Sequence, residues 1–414
     1  MVTRLRITLI HITACCGDMS DSSLQKIPGW LLLMGALSAI GPLAIDLYLP
    51  AFPFIAEGLS TSQGNVERTL AVYLFGLALA QLLYGPLADR YGRRKPILFG
   101  LILFTVASVG CTLTDDIEHL TLWRFVQAFG GAAGMVIPRA VIRDKLETRD
   151  ASKAMSLLIL ILGVMPILGP LFGGYLLPYT GWRGIFGLMA LTGFGLLAAS
   201  WLRMTESLSP ENRNPLNFKA ISRNYWGLIC DRHFIFYALS GSFGAAGLFT
   251  YISGAPRVLM DVYGIGTDFF GVLFGANAAA LIFMSQYSAR LLNRHSPDKL
   301  LARSQTVALV VTATGAVLTL LGLLNLTLFM VCLLGFMAYQ GFVFPNSAAM
   351  ALARQGHRLG VASALMGTLQ MVLGTLAGLA ISVWQSDSAL PMTALLTACA
   401  FLSWLFGRIA FSKA

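Results

Sequence analysis

The chain has 414 residues, of which 56% are hydrophobic and only 12% are charged. A water-soluble protein of this size needs a larger charged surface, so the composition excludes a soluble globular protein and predicts one that is surrounded by lipid. The net charge of +10 does not indicate nucleic-acid binding, because the basic residues lie in short tracts between apolar runs. Such a placement is typical of a membrane surface.

Apolar stretches of membrane-crossing length recur along the chain. A spanning helix needs roughly 20 mostly apolar residues. We therefore predict an all-α membrane protein of about twelve transmembrane helices in two six-helix bundles. The first six spans are 29–50, 66–86, 96–114, 119–141, 154–178 and 183–203. The second six are 233–256, 267–291, 300–321, 325–347, 359–384 and 389–410.

One long polar stretch interrupts this pattern, between Met204 and Arg232, and it contains Pro210 and Pro215. It predicts a cytoplasmic linker (204–231) between an N-terminal bundle (27–203) and a C-terminal bundle (232–414). Residues 1–26 fit no span. We interpret them as an N-terminal cytoplasmic tail, or as residues that precede a true start at Met19.

The basic residues predict the orientation of the chain. If the N-terminus is cytoplasmic, every lysine and arginine lies on the cytoplasmic side except Arg68, Arg183 and Arg257 outside and Arg124 within a span. Positively charged loops are retained in the cytoplasm, so both termini are predicted to be cytoplasmic.

The turn between the second and third spans carries a distinctive sequence, GPLADRYGRRK, from Gly85 to Lys95. We predict a tight turn in which Gly92 adopts a backbone angle that other residues avoid, and in which Asp89 pairs with a nearby arginine. A weaker echo, NRHSPDK, begins at Asn293 between the eighth and ninth spans. An internal repeat of six helices predicts two halves that rock against each other.

These motifs resemble the major facilitator superfamily over nearly the whole chain after Ser22. The turn from Gly85 to Lys95 matches the signature loop of that superfamily. The segment LWRFVQAFGGA, which starts at Leu122, resembles the motif of its fourth helix. The segment from Gly163 to Gly174 resembles the fifth-helix motif of its proton-coupled drug exporters. Three further stretches, beginning at Ala44, Tyr251 and Gly341, are similar to the Bcr/CflA group of drug/proton antiporters, as is the pair His357-Arg358.

The resemblance implies a multi-pass transporter of the bacterial inner membrane, acting as a monomer. It implies that the protein exports small lipophilic drugs or antibiotics, such as bicyclomycin- or chloramphenicol-like compounds, in exchange for protons by alternating access. The protein would then be no enzyme, bind no nucleic acid and need no cofactor besides the proton gradient. The predicted gating residues are Gly85, Asp89, Arg90, Gly92, Arg93, Arg94, Gly163, Gly169, Pro170, Gly173 and Gly174.

Two charged residues lie well inside predicted spans. Asp46 is the only acidic one, and a carboxylate there costs about 2.5–3.5 kcal/mol on insertion scales unless it has a partner, water or a proton. We therefore predict that Asp46 loads and unloads the coupled proton; the alternative is a carboxylate that is bonded to helix ends. Arg124 is the only basic one, and since it keeps its charge we predict a coupling or positioning role. Pairing of Arg124 with Asp46, and simple anchoring of its helix, both stay open.

The glycines and prolines of the fifth span predict close helix packing and a bend that seals a gate, although ordinary small-residue packing explains them as well. Polar side chains within the spans predict a mostly apolar substrate cavity, although helix–helix hydrogen bonding is an equal alternative for each of them. These candidates are Tyr48, Tyr73, Gln81, Gln127, Tyr251, Asn277, Tyr339, Gln340, Asn346 and Gln370.

The sequence has no glycine loop followed by lysine for ATP and no metal-ligand spacing, so we predict neither ATP-driven transport nor a metal site. Two alternatives remain open: a metabolite exporter, for instance of an amino acid or a sugar, and a non-transporting membrane sensor or channel.

Overall fold

The computed structural model describes residues 28–213, 218–292, 294–355, 359–384 and 386–412. Within these ranges the chain forms helices joined by turns, and no strand occurs. The predicted tail (1–26) with Met19, the Asn293 that begins the echo, and the pair His357-Arg358 lie outside the described residues.

Among the described residues, the first half of the chain contains six α-helices: α1 (Gly29–Asp46), α2 (Phe52–Gly58), α3 (Gln63–Tyr91), α4 (Arg94–Leu113), α5 (Ile117–Lys145) and α6 (Thr148–Arg203). The second half follows with α7 (Phe218–Ile229), α8 (Arg232–Pro256), α9 (Thr267–Leu291), α10 (Pro297–Leu320), α11 (Leu326–Leu352), α12 (Leu359–Val383) and α13 (Leu390–Ser412). A π-helical turn, Arg257–Val262, extends α8.

The number of membrane crossings agrees with the prediction. Eleven helical stretches in the described chain are long and apolar enough to span a bilayer, and one of them, Ile161–Arg203 within α6, has 43 residues. At 1.5 Å per residue that stretch is about 65 Å long, twice the hydrocarbon thickness of roughly 30 Å. The chain breaks at Gly181, whose φ of 62° and ψ of 179° are not helical. The stretch therefore crosses twice, which confirms the predicted fold of about twelve crossings.

The break at Gly181 lies at the opposite end of the bundle from the turn Gly85–Lys95. The guanidinium of Arg183, just after the break, contacts the Asp115 carboxylate and donates a 3.1 Å hydrogen bond to the Thr114 carbonyl, in the turn between α4 and α5. We call the end with the Gly85–Lys95 turn the basic end and the end with Gly181 the distal end.

The two halves meet along two helix pairs, α3 with α12 and α6 with α9. Toward the distal end these helices pack tightly. A Cβ built on Gly271 of α9 would lie 3.0 Å from the Pro170 carbonyl oxygen, and one on Gly378 of α12 would lie 3.3 Å from the Ala71 Cβ. Beside Gly85, at the basic end, a Cβ would meet nothing within 4 Å. The halves therefore touch closely at the distal end, while the space beside the signature turn is open.

The polar segment between the bundles is not a simple loop, because it contains α7. The helix that follows, α8, is capped by Asp231, whose carboxylate accepts hydrogen bonds from the backbone N–H groups of His233 and Phe234. The Gln355 amide also donates to this carboxylate over 2.7 Å. Burial acts to raise the pKa of Asp231, but these donors outweigh it and hold the pKa below its ordinary value.

Candidate functional site

Asp46 lies at the end of α1, in the middle of the first membrane-crossing stretch, Gly29–Gly58. Its side chain is buried, with 2% of the residue exposed. In the described part of the chain the carboxylate makes no hydrogen bond and no ion pair. A buried carboxylate without a cation is stable only if it carries a proton or can reach water. The local geometry thus suits a group that exchanges a proton.

The glycines of α6 determine how close that helix comes to Asp46. A Cβ on Gly169 would lie 2.6 Å from the Asp46 Cβ, closer than real side chains approach. The next glycine along, Gly173, lies directly against the Leu47 carbonyl oxygen, and Gly174 is buried beside it. The predicted close approach of a neighbouring helix is therefore present, and that neighbour is α1 at its only acidic residue.

Arg124, on α5, is completely buried and is held by three kinds of contact. Its guanidinium donates hydrogen bonds to the Ala44 carbonyl oxygen (2.9 Å) and to the Gln127 side-chain oxygen (2.5 Å). It also stacks between two tyrosine rings, Tyr48 and Tyr73, each with its centroid 4.2 Å from the guanidinium carbon. No ion pair joins Arg124 to Asp46, so the pairing that the sequence left open does not occur in this state. Arg124 instead fixes the backbone of α1 two residues before Asp46.

Hydrogen bonds extend this cluster across the first half. The Gln127 amide donates to the Ser108 hydroxyl of α4 over 2.7 Å. The Tyr73 hydroxyl donates to the Gly41 carbonyl oxygen of α1 over 3.2 Å, and the Tyr48 hydroxyl lies 3.3 Å from that of Thr69. The polar residues Tyr48, Tyr73 and Gln127 thus join helices in this state.

The second half contains a comparable polar cluster, built by α8, α10, α11 and α13. The Gln305 amide donates to the Ser240 hydroxyl (2.7 Å) and to the Ser403 carbonyl oxygen (2.9 Å). The Tyr339 hydroxyl donates to the Ser403 hydroxyl over 2.7 Å. Nearby on α11, Gln340 donates to the Gly244 carbonyl oxygen over 2.6 Å.

The other cavity candidates divide into bonded and partly exposed residues. Asn277 donates to the Tyr251 hydroxyl over 3.3 Å, and Asn346 donates to the Ser288 hydroxyl over 2.9 Å. Gln81 and Gln370 are partly exposed. The assignment of all ten residues to a substrate cavity stays a prediction, since eight of them are bonded within the protein in this state.

The signature turn forms a charged network at the basic end. The Arg93 guanidinium donates to the Asp89 carboxylate over 2.5 Å, as predicted, and also to Asp144 at the end of α5 over 2.8 Å. Burial acts to lower the pKa of Arg93, but the two carboxylates outweigh it and raise the pKa. Arg94 donates to the Trp201 carbonyl oxygen over 2.7 Å. Arg90 forms no hydrogen bond or ion pair with any described residue, and its guanidinium carbon lies 5.7 Å from the centroid of the Tyr91 ring.

Gly92 has the predicted unusual backbone, with φ of 85°. A second reason for glycine is the carboxylate of Glu206, which lies where a Cβ would be. That carboxylate accepts hydrogen bonds from the backbone N–H groups of Arg93 (2.8 Å) and Arg94 (3.2 Å). Burial acts to raise the pKa of Glu206, but these donors, with those of Leu208 and Ser207, hold it below the ordinary value.

The sequence patterns do not predict two features of these sites. Asp144 and Glu206 are 51 and 113 residues from Arg93, so no local motif indicates that they are its partners. Glu67 of α3 is also missed: it is completely buried and neither of its carboxylate oxygens has a hydrogen-bond partner among the described residues. It lies only four residues inside α3, where a charged residue is ordinarily solvated, so its position in the sequence does not indicate burial.

Comparisons with known proteins show which families and relatives the chain resembles. The family model of the Major Facilitator Superfamily matches residues 34–379. An uncharacterized MFS-type transporter, YdgK, of Bacillus subtilis is 37% identical, covering 92% of this chain and 93% of the relative. A bicyclomycin resistance protein homolog of Haemophilus influenzae is 31% identical over 91% and 94%, and a chloramphenicol resistance protein of Pseudomonas aeruginosa is 29% identical over 87% and 86%.

Solved structures agree on the fold. A bacterial homolog of the human lysosomal transporter Spinster, in an inward-facing and occupied conformation, superposes with a TM-score of 0.71 at 17% identity. The match covers 93% of this chain and 96% of that one.

Proposed function

Because this chain belongs to the major facilitator superfamily, we propose that it is a secondary transporter that exports small lipophilic antimicrobial compounds in exchange for protons. It acts in the bacterial cytoplasmic membrane, as a monomer with both termini in the cytoplasm. It is not an enzyme and needs no cofactor besides the proton gradient. Relatives named for resistance to bicyclomycin and to chloramphenicol support this cargo class.

The observation that carries the proposal is the environment of Asp46. A carboxylate that is buried in mid-membrane without a cationic partner costs free energy unless it holds a proton. Arg124, the buried cation of α5, is already bonded to Ala44 and Gln127. Asp46 is therefore free to bind and release a proton as access alternates between the two sides.

The proton gradient supplies enough free energy for useful export. One proton that moves down about 100 mV releases about 2.3 kcal/mol. At 1.4 kcal/mol per tenfold, one proton per cycle sustains roughly a fortyfold gradient of a neutral compound.

The test compares Asp46→Asn with the wild type in inside-out membrane vesicles. Asparagine keeps the size of the side chain and cannot titrate. We expect wild-type vesicles to accumulate chloramphenicol or bicyclomycin in proportion to the imposed pH gradient, and the variant to insert and fold but to lose this dependence. A matched control is Asp115→Asn, which removes an exposed carboxylate at the distal end.

Two outcomes would contradict the proposal. Export by Asp46→Asn that still follows the pH gradient would show that Asp46 is not the coupling group. Wild-type vesicles that accumulate only amino acids or sugars in response to the pH gradient would identify a metabolite exporter instead.

A further inference from the structure

Glu67 lies at the boundary between the two halves. It is on α3, near the distal end, and none of its surface is exposed. One helical turn further on, Ala71 packs against Gly378 of α12, and the same glycine lies against the Ser253 hydroxyl of α8. Residues four apart share a helix face, so Glu67 faces the second half of the protein.

Two charged residues act electrostatically on Glu67, and both belong to the second half. They are Arg257 and Asp261, on the π-helical turn that extends α8. Arg257 does not reach the carboxylate, because neither Glu67 oxygen has a hydrogen-bond partner in the described chain. On the side of α3, Gln63 lies beside Asp261. The neighbouring α12 contributes Gly378, which carries no charge.

An ionised carboxylate in this place would be buried without a bonded cation or any hydrogen-bond donor. Such burial is far more costly for the ionised form than for the neutral acid. The closed distal end therefore accommodates Glu67 with its proton. When the halves separate there, water reaches the carboxyl group and the ionised form is no longer penalised.

We propose that Glu67 is a second proton-binding group of this transporter, and that its protonation holds the distal ends of the two halves closed. It differs from Asp46, which lies on α1 and packs against Gly169 of α6. The proposal rests on the proposed function in one respect: the protons that it binds belong to the gradient that drives export.

The sign of the effect follows from linkage. A state that binds a proton more tightly is favoured when protons are abundant. Acidic pH should therefore close the distal end, and alkaline pH should open it.

The experiment measures the opening directly and without a transported substrate. Spin labels are attached to cysteines at His119, in the first half, and Leu323, in the second, after the native cysteines are replaced. Both positions are exposed at the distal end. Distances between the labels are measured in lipid nanodiscs over a pH series. We expect the wild type to shift from short to long distances as pH rises.

Glu67→Gln should abolish this shift and keep the short distances at every pH, because glutamine is neutral and nearly the same size. The matched control is Glu57→Gln, which removes an exposed carboxylate of α2 at the same end and should leave the pH response unchanged. A wild type without a pH response, or a Glu67→Gln variant that responds like the wild type, would overturn the proposal.

Two further variants test the electrostatics. Arg257→Gln removes a cation that favours ionised Glu67, so the midpoint of the response should move to higher pH. Asp261→Asn removes a like charge, so the midpoint should move to lower pH. Shifts in the opposite directions would refute the assignment to Glu67.

Flux assays keep this proposal separate from the proposed function. Wild-type vesicles without proton-driven export, but with distances that depend on pH and on Glu67, would refute the export mechanism and leave the linkage standing. Proton-driven export with distances that do not change with pH would refute the linkage and leave the export mechanism standing.

Discussion

Replacing Gly169 with alanine should disturb the contact between α1 and α6 at Asp46. The new Cβ would lie 2.6 Å from the Asp46 Cβ and 3.2 Å from its carbonyl carbon. Carbon atoms in contact are ordinarily about 3.5–4.0 Å apart, so the two helices must separate by about 1 Å. Because the clash is with the backbone and Cβ of Asp46, no rotamer change can relieve it.

The expected cost follows from this geometry. Overpacking of a well-packed site typically costs about 1–3 kcal/mol. Alanine also gains roughly 1 kcal/mol over glycine inside a helix, which masks part of the effect. A matched control removes that term: Gly187→Ala, in the same helix α6, gains the same propensity and meets nothing within 4 Å. The difference between the two variants isolates the clash.

Unfolding of both variants in mixed micelles, followed by tryptophan fluorescence, measures this difference. We expect Gly169→Ala to have a free energy of unfolding about 1–3 kcal/mol below that of Gly187→Ala. This corresponds to a roughly 5- to 150-fold change in the unfolding equilibrium. Equal stabilities would show that α1 and α6 are not in close contact at Asp46, and would refute the packing on which the site depends.

Two other variants probe the residues around the site. Arg124→Lys should lower both thermal stability and export, since lysine cannot stack between Tyr48 and Tyr73 while forming the two forked hydrogen bonds; wild-type values in both assays would contradict this role. Glu206→Ala should destabilise the protein at neutral pH and less so in acid. The pKa of this carboxylate is lowered by folding, so its contribution is present above the unfolded pKa and is lost as pH falls through the folded one. Unfolding scans over a pH series test this prediction. A loss of stability relative to the wild type that stays constant into acid would contradict it.

The sequence predicts the helices of this protein well, because lipid leaves the backbone few alternatives. Every crossing must satisfy its own N–H and C=O groups, so an apolar stretch of about 20 residues is nearly sufficient to identify a helix. Local backbone requirements are also visible: Gly92, within a turn of charged residues, has the positive φ that the motif predicts.

Partners far apart in the sequence are harder to predict. Several residues near Arg124 could bind a buried guanidinium, and the sequence does not say which of them do. In the structure the guanidinium binds the Ala44 carbonyl oxygen and two tyrosine rings, and it does not pair with Asp46. Glu67 is missed for a different reason. It lies near the end of a helix, where a charge is ordinarily solvated, and the helix face on which it lies packs against the second half of the chain.

The single-residue break at Gly181 has a mechanical consequence. The two crossings within α6 are joined by Gly181 alone. They form two rigid arms that meet at the distal end, and the other end of each arm lies at the basic end. The first arm packs against α1 at Gly169 and against α9 at Leu171. The other arm ends at Arg203, three residues before the Glu206 carboxylate that holds the Gly85–Lys95 turn. A tilt of the first arm must therefore be taken up by torsion at Gly181 or be transmitted directly to that turn.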